Sequence, residues 1–387
     1  MIILFCIAGM IAGIIAGLIP GLHSNNIAVI ISATPYFGID ICAFILCMCT
    51  TQVFIEFIPS TFFGAPSETT FEAVLPAHKM LLEGKAYEAI CLTTLGAIIA
   101  FSLGAALTPW FFEYLEKNSN EIMQITPAIL IFALVVFPLS EKGWRAKLTS
   151  IFIIIAAGTQ GYLFNGQVFP LITGYFGIAG TIYSLKEENH LQKQVHEVTV
   201  KISEIKNALV GMIGGAIVAV MPGIGSNTAG GIINIFKKNS DSRGYLTMLG
   251  AINASNFFFS FATLFALSKA RNGGMLAIKD KIFLTPQMMS YGTELMLISA
   301  GIGGFFAILL AKKATKILNP NHIKKIGIIT VIFMIILVGV INGPIGLIAL
   351  FFSTALGLFT ITSKIRRSTM MASLIVPVLF FYVFILQ

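Results

Sequence analysis

Long apolar runs recur from one end of this chain to the other, and they leave it a single kind of environment. They cover residues 1–19, 41–58, 89–107, 125–138, 148–164, 168–185, 208–221, 247–267, 288–311, 326–341, 345–361 and 370–386. A helix needs about 20 mostly apolar residues to cross the hydrocarbon core of a bilayer, and most of these runs reach or approach that length. Only 11% of residues are charged and 56% are hydrophobic, whereas a soluble domain carries about 25% charge. The chain reads as an all-α polytopic membrane protein with about 10–12 membrane segments.

Two of the runs are copies of each other. Residues 9–31 read GMIAGIIAGLIPGLHSNNIAVII and residues 211–233 read GMIGGAIVAVMPGIGSNTAGGII, with 11 of 23 positions identical at a constant shift of 202. Composition alone gives roughly two or three. Each copy has small residues at every fourth position (Gly9, Gly13, Gly17; Gly211, Gly215, Ala219), breaks at Pro-Gly and ends in Ser-Asn. Small residues at this spacing are foremost a helix-packing face. Duplicated apolar segments interrupted by Gly and Pro point to the binding site of a transporter.

The similarity continues past the first run. Phe57, Thr61 and Phe63 fall on Phe259, Thr263 and Phe265, and residues 96–107 resemble 301–312. This divides the chain into an N-terminal membrane repeat (1–185), a polar linker (186–206) expected to form a solvated helix, and a C-terminal repeat (207–387). Lys and Arg mark the cytoplasmic ends of spans, so matching loops can be compared. Loop 113–124 has three Glu against Lys117, while its counterpart 312–325 has five Lys and no acid. Loop 141–147 is basic where the region around Asn342 is uncharged, and 164–167 is uncharged where Lys364, Arg366 and Arg367 stand in its counterpart. These flips predict two inverted-topology repeats, each opening with a Pro-Gly-broken helix or re-entrant hairpin. Segments 67–88 and 269–281 carry charges of the wrong sign for this scheme unless they fold back into the protein.

The formal charge of +8 sits in short loops between apolar runs, which fits membrane topology and not nucleic-acid binding. The five cysteines lie in or beside apolar runs without paired spacing, so neither a disulfide framework nor a metal site is expected. The first run has no basic flank and continues into PGLHSNN, which reads as part of the working protein and not a cleaved signal peptide.

Pro removes a backbone donor and Gly accepts unusual dihedrals. At membrane depth such irregular backbone survives only when buried in protein or lining a wet cavity. The candidate substrate-binding residues are therefore Gly21, His23, Ser24, Asn25 and Asn26 in the first copy. Their counterparts are Gly223, Gly225, Ser226, Asn227 and Thr228, and the helix breakers are Pro20, Pro222 and Pro66. Helix N-termini restarting near Asn25 and Asn227 aim N–H groups at an anion, and unwound carbonyls beside them suit Na⁺, a coupling ion with no other cofactor expected. His23, matched by Gly225, reads equally as a ligand or as a satisfied structural histidine. An ionisable residue within an apolar run defaults to function; Glu56 is the clearest, either as a coupling site or paired with a Lys such as Lys79 or Lys269. Asn253 and Asn256 fall opposite Thr51 and Phe54 by the shift; they read first as interhelical hydrogen-bonding residues and second as candidates to line the same cavity. Glu68 and Thr69 follow Pro66 in a segment expected to turn back toward the centre.

At PGLHSNN, PGIGSNT and FFGAPSETTFEAVLPAHKMLLEGKAYEAI (62–90) the chain resembles the large membrane subunit of tripartite tricarboxylate transporters, the TctA family. Pro76, Gly84, Ala86 and Ala89 match that family's pattern after the second span, and SKIRRSTMMASLIVPVLFFY is similar to its last span. His23 and Leu75 stand where the family has Gly, and the chain is shorter than typical bacterial members. The resemblance implies uptake of citrate-like carboxylates together with a small membrane subunit and an extracytoplasmic binding protein. The two Ser-Asn tips are also similar to those of divalent-anion/sodium symporters, whose paired hairpin tips hold carboxylate and Na⁺.

The leading expectation is a secondary transporter, a multi-pass permease of the cell membrane. It carries an organic anion with Na⁺ or H⁺, held between the two tips near the midplane. The alternatives are a flippase for a lipid-carrier phosphate and a membrane-embedded enzyme. The sequence shows no HExxH, GxSxG or paired-Asp constellation for the latter.

Overall fold

The computed structural model describes residues 1–19, 22–64, 67, 69–186, 192–237, 241–317 and 320–384, and among them the regular structure is entirely helical. Among the described residues, eight helices are long and apolar enough to cross a membrane, and three shorter apolar helices accompany them at Ile2–Leu18, Gln124–Leu139 and Arg367–Tyr382. The chain is an all-α polytopic membrane protein.

The N-terminal half of the chain opens with α1 (Ile2–Leu18) and α2 (Ser24–Ser32), followed by α3 (Ile39–Ile55), α4 (Phe57–Phe63) and α5 (Val74–Leu82). Then come α6 (Ala86–Leu139), α7 (Trp144–Leu163), α8 (Val168–Ile172) and α9 (Ala179–Lys186). The C-terminal half holds α10 (Ile202–Val220), α11 (Ser226–Phe236), α12 (Ser242–Leu267), α13 (Gly273–Lys281), α14 (Pro286–Ile317), α15 (Pro320–Thr362) and α16 (Ala372–Phe384). Non-helical dihedrals at Asn118 and Gly343 fold the long α6 and α15 into two arms each.

The two duplicated segments end their first helices in the same way. Ile19 (φ −93°, ψ 109°) and Met221 (φ −94°, ψ 119°) are both extended. Each precedes a proline, whose ring pushes the residue before it out of the helical region. The chain then reverses, so α1–α2 and α10–α11 are helical hairpins.

The small-residue stripes are packing faces. A Cβ at Gly9 or Gly13 would run into the carbonyls of Phe44 and Met48, and Gly17 meets Ile55. The residue numbers rise together, so α1 runs parallel to α3. Gly211 and Gly215 meet the carbonyls of Met248 and Ile252 in the same manner, so α10 runs parallel to α12. Helices α3 and α12 run antiparallel: Leu46 and Phe261 both pack at Gly292, while Glu56 meets Asn253. The two hairpins consequently enter the bundle from opposite ends.

Hydrogen bonds sort the connections between those ends. At one end Val195 N–H donates to the Gly84 carbonyl (2.8 Å), and Arg243 joins Glu88, Glu204 and the Thr199 carbonyl. At the other, Lys281 donates to the Thr34 carbonyl, and Asn342 donates to Gln167 (2.8 Å).

The expected linker helix is not continuous: among the described residues, 192–201 form no helix and α10 begins at Ile202. Gln194 is one reason, because its side chain donates to the Leu81 carbonyl (2.9 Å) and accepts from Ala86 N–H (3.1 Å). It thereby bonds the backbone at the junction of α5 and α6, which a non-helical strap can reach. Of the segments 67–88 and 269–281, the described stretches 69–82 and 273–281 do fold back into the protein. Phe71 is buried and stacks on Phe176 at 3.5 Å, and Lys281 is 3% exposed.

Candidate substrate cavity

Where the first hairpin turns, Gln52 of α3 supplies the hydrogen bonds that the broken helix has given up. Its Oε1 accepts from Ser24 N–H at 2.6 Å, and its Nε2 donates to the Leu22 carbonyl at 3.3 Å. Buried backbone groups need such partners. Asn25 N–H donates to His23 Nδ1 (3.1 Å), which leaves the ring proton on Nε2. Nε2 lies 3.8 Å from Glu56 Oε2, just beyond hydrogen-bond length. Asn25 Oδ1 accepts from Gly274 N–H (3.1 Å), so α13 clamps the outside of this tip.

Glu56 sits at the junction of α3 and α4. Pro59 carries no N–H for the Ile55 carbonyl, which interrupts the helical ladder there. The Glu56 carboxylate is 4% exposed and heavily solvated by protein. Ser67 donates to Oε2 (3.0 Å) and Thr69 to Oε1 (2.7 Å), and Asn253 adds its amide from α12 of the other half. A buried carboxylate is tolerable only when paired or bonded in this way. Lys79, one of its candidate partners, lines a different cavity.

Together these groups enclose a cavity of about 50 Å³. The first hairpin contributes His23, Ser24 and Asn25; α3 contributes Cys49, Gln52, Val53 and Glu56. Thr69, then Asn253, Asn256 and Phe257 of α12, and Asn272 close it. The second hairpin joins through one residue, since Asn256 donates its amide to Ser226 Oγ at 3.0 Å. Ser24 thus lines the cavity, while Ser226 reaches it only through its bond to Asn256.

The rest of the second tip is turned elsewhere. Gly223 takes φ +81°, which L residues resist, and packs on Val378, while Gly225 packs near Met371. Asn227 is buried, and its Oδ1 accepts from Glu72 N–H (3.2 Å). Thr228 is fully buried, and its hydroxyl has no hydrogen-bond partner among the described residues. Pro222 begins the turn. Pro20, Gly21, Pro66 and Glu68 lie outside the described residues, as does the side chain of Asn26.

Sequence reasoning missed Cys49, Gln52, Val53, Phe257 and Asn272 among the cavity residues, of which Gln52 and Asn272 carry amides. Gln52 carries a usable signal, an amide inside an apolar run one helical turn before Glu56. Asn272 carries none, because its role depends on α13 folding back over the first tip, where it caps that helix by accepting from Met275 N–H (2.9 Å).

The donor set suits a small hard cation: one carboxylate with hydroxyl and amide oxygens close by. At about 50 Å³ the cavity is smaller than a drug-sized pocket of about 300–1,000 Å³.

The model of the tripartite tricarboxylate transporter TctA family matches residues 3–372. An uncharacterized protein of Methanocaldococcus jannaschii is similar, at 26% identity over 395 residues that cover 98% of each chain. No solved structure matches the chain. A match running through both hairpins and nearly every span shows that the chain belongs to the tripartite tricarboxylate transporter TctA family.

Proposed function

We propose that this protein carries an organic anion, a di- or tricarboxylate, across the cell membrane together with Na⁺ or H⁺. The observation that supports it most is the convergence at Glu56. There the first hairpin, the α3–α4 break and α12 surround a buried carboxylate, and the second hairpin is one side chain away. Uptake of a cation at Glu56 would neutralise the cavity, and the anion would then bind between the tips, each binding event favouring the other. The cavity's size fits a closed state between two open ones.

Opposed entry of the two hairpins supports the inverted-repeat reading, with residues 1–185 and 207–387 as the two units. In such transporters, access alternates as one unit moves against the other. Transport is the activity of the family, and its tripartite organisation implies partner subunits. In this reading they are a small membrane subunit and an extracytoplasmic binding protein that delivers the anion.

The test is citrate uptake by cells expressing the chain with its partners. Asn25→Ala and Asn256→Ala are expected to abolish uptake while the protein still reaches the membrane. Wild-type uptake rates in both variants would remove the tips from the site.

A further inference from the structure

A second cavity, of about 560 Å³, lies on the far side of the second tip. It is bounded by residues 71–79, the start of α12 and residues 361–368. Its walls carry Lys79, Lys364, Arg366 and Arg367 against a single carboxylate, Glu72. That carboxylate is already bonded, accepting from Tyr245 OH (3.0 Å) and Ser368 Oγ (2.6 Å). Arg366 is shared with Glu141, which lies 4.0 Å from its Nε. Arg367 is only 8% exposed, and its Nη1 has no hydrogen-bond partner among the described residues. Like charges gathered around a partly buried space repel one another, and a bare buried guanidinium N–H is costly. Both costs fall when an anion enters.

The wall between the two cavities is thin. Thr69 lines the small one and Glu72, three residues later, lines the large one. The Glu72 N–H is held by Asn227 of the second tip, so that tip forms part of the partition.

We propose that this large cavity is a second anion site, which holds a carboxylate-bearing solute on the water-facing side of the second tip, next to the central cavity. The proposal rests on the carboxylate reading above. Its volume lies within the range of small-molecule pockets, about 300–1,000 Å³. Guanidinium forks and ammonium groups are the side chains that recognise carboxylates. The anionic headgroup of a phospholipid shares this chemistry, so the experiment must separate the two sources.

Citrate is the probe, titrated calorimetrically into the purified full-length protein in nanodiscs of phosphatidylcholine, with or without phosphatidylglycerol. Citrate is expected to bind in phosphatidylcholine alone. Arg367→Gln, and separately the pair Lys79→Gln with Lys364→Gln, should each weaken that binding about tenfold, the value of one lost charge-assisted contact. The lysine pair decides the matter if the arginine variant does not fold. Unchanged citrate affinity in these variants, with binding lost in Asn253→Ala, would overturn the second site and leave the central one standing. Unchanged affinity in all three would overturn both. Binding of phosphatidylglycerol, lost in the same variants while citrate binding persists, would overturn the assignment to a solute.

Discussion

Asn253 on α12 donates its side-chain amide to the carboxylate of Glu56 at the end of α3, joining two residues 197 positions apart. Each lies in the second membrane segment of its own half. The bond therefore links the two halves at the cavity, and any movement of one half against the other must break or carry it.

Removing that amide should show first in cation use. Asn253→Ala deletes a hydrogen bond to a charged group, worth about 1.5–3 kcal/mol. With one donor fewer, the buried carboxylate is less stable bare, so its apparent affinity for the coupling cation should rise about ten- to hundredfold, as measured by the Na⁺ and pH dependence of citrate uptake. An unchanged dependence would mean that this bond plays no part in coupling.

Gln52 holds the first tip by its backbone. Gln52→Leu leaves Ser24 N–H and the Leu22 carbonyl without their partners, at a cost of about 1–3 kcal/mol for each buried group. The expected outcome is a lower melting temperature and lost uptake, although no candidate ligand of the tip has been altered. Full activity in this variant would show that the tip does not rely on α3.

Glycine spacing on α1 and α10 serves packing. Gly13→Leu and Gly211→Leu should each destabilise the protein by about 1–3 kcal/mol through overpacking, because a backbone carbonyl blocks the space. Gly301→Ala is the matched control, since its Cβ would meet nothing within 4 Å. Thermal unfolding in detergent compares them; equal stability across the set would remove the packing role.

Sequence reasoning reached the hairpins because proline and glycine break helices wherever they occur, and the break repeats in the second half. Glu56, Asn253 and Asn256 stand out because polar groups are rare in such apolar surroundings. What stayed hidden depends on tertiary placement. Asn227 and Thr228 match Asn25 and Asn26 by alignment. Yet the second tip turns Asn227 toward Glu72, and a linear copy does not reveal which wall it will face. The strap at 192–201 is rich in residues that also suit a helix, and the tertiary bonds of Gln194, Val195 and Thr199 hold it out of one. Arg367 reads as a topology marker in a loop, and its burial emerges only once α9 and the 361–368 turn are packed together; its guanidinium lies against Gly180.

Ligand-induced stabilisation of the purified protein by citrate, measured with and without Na⁺ at acidic and alkaline pH, puts the central claim to its most direct test. In the wild type Na⁺ or a low pH should increase the stabilisation, and in Glu56→Gln that dependence should vanish, because the amide is permanently neutral. If Glu56→Gln keeps the wild-type cation dependence, the buried carboxylate is not where cation and anion are coupled.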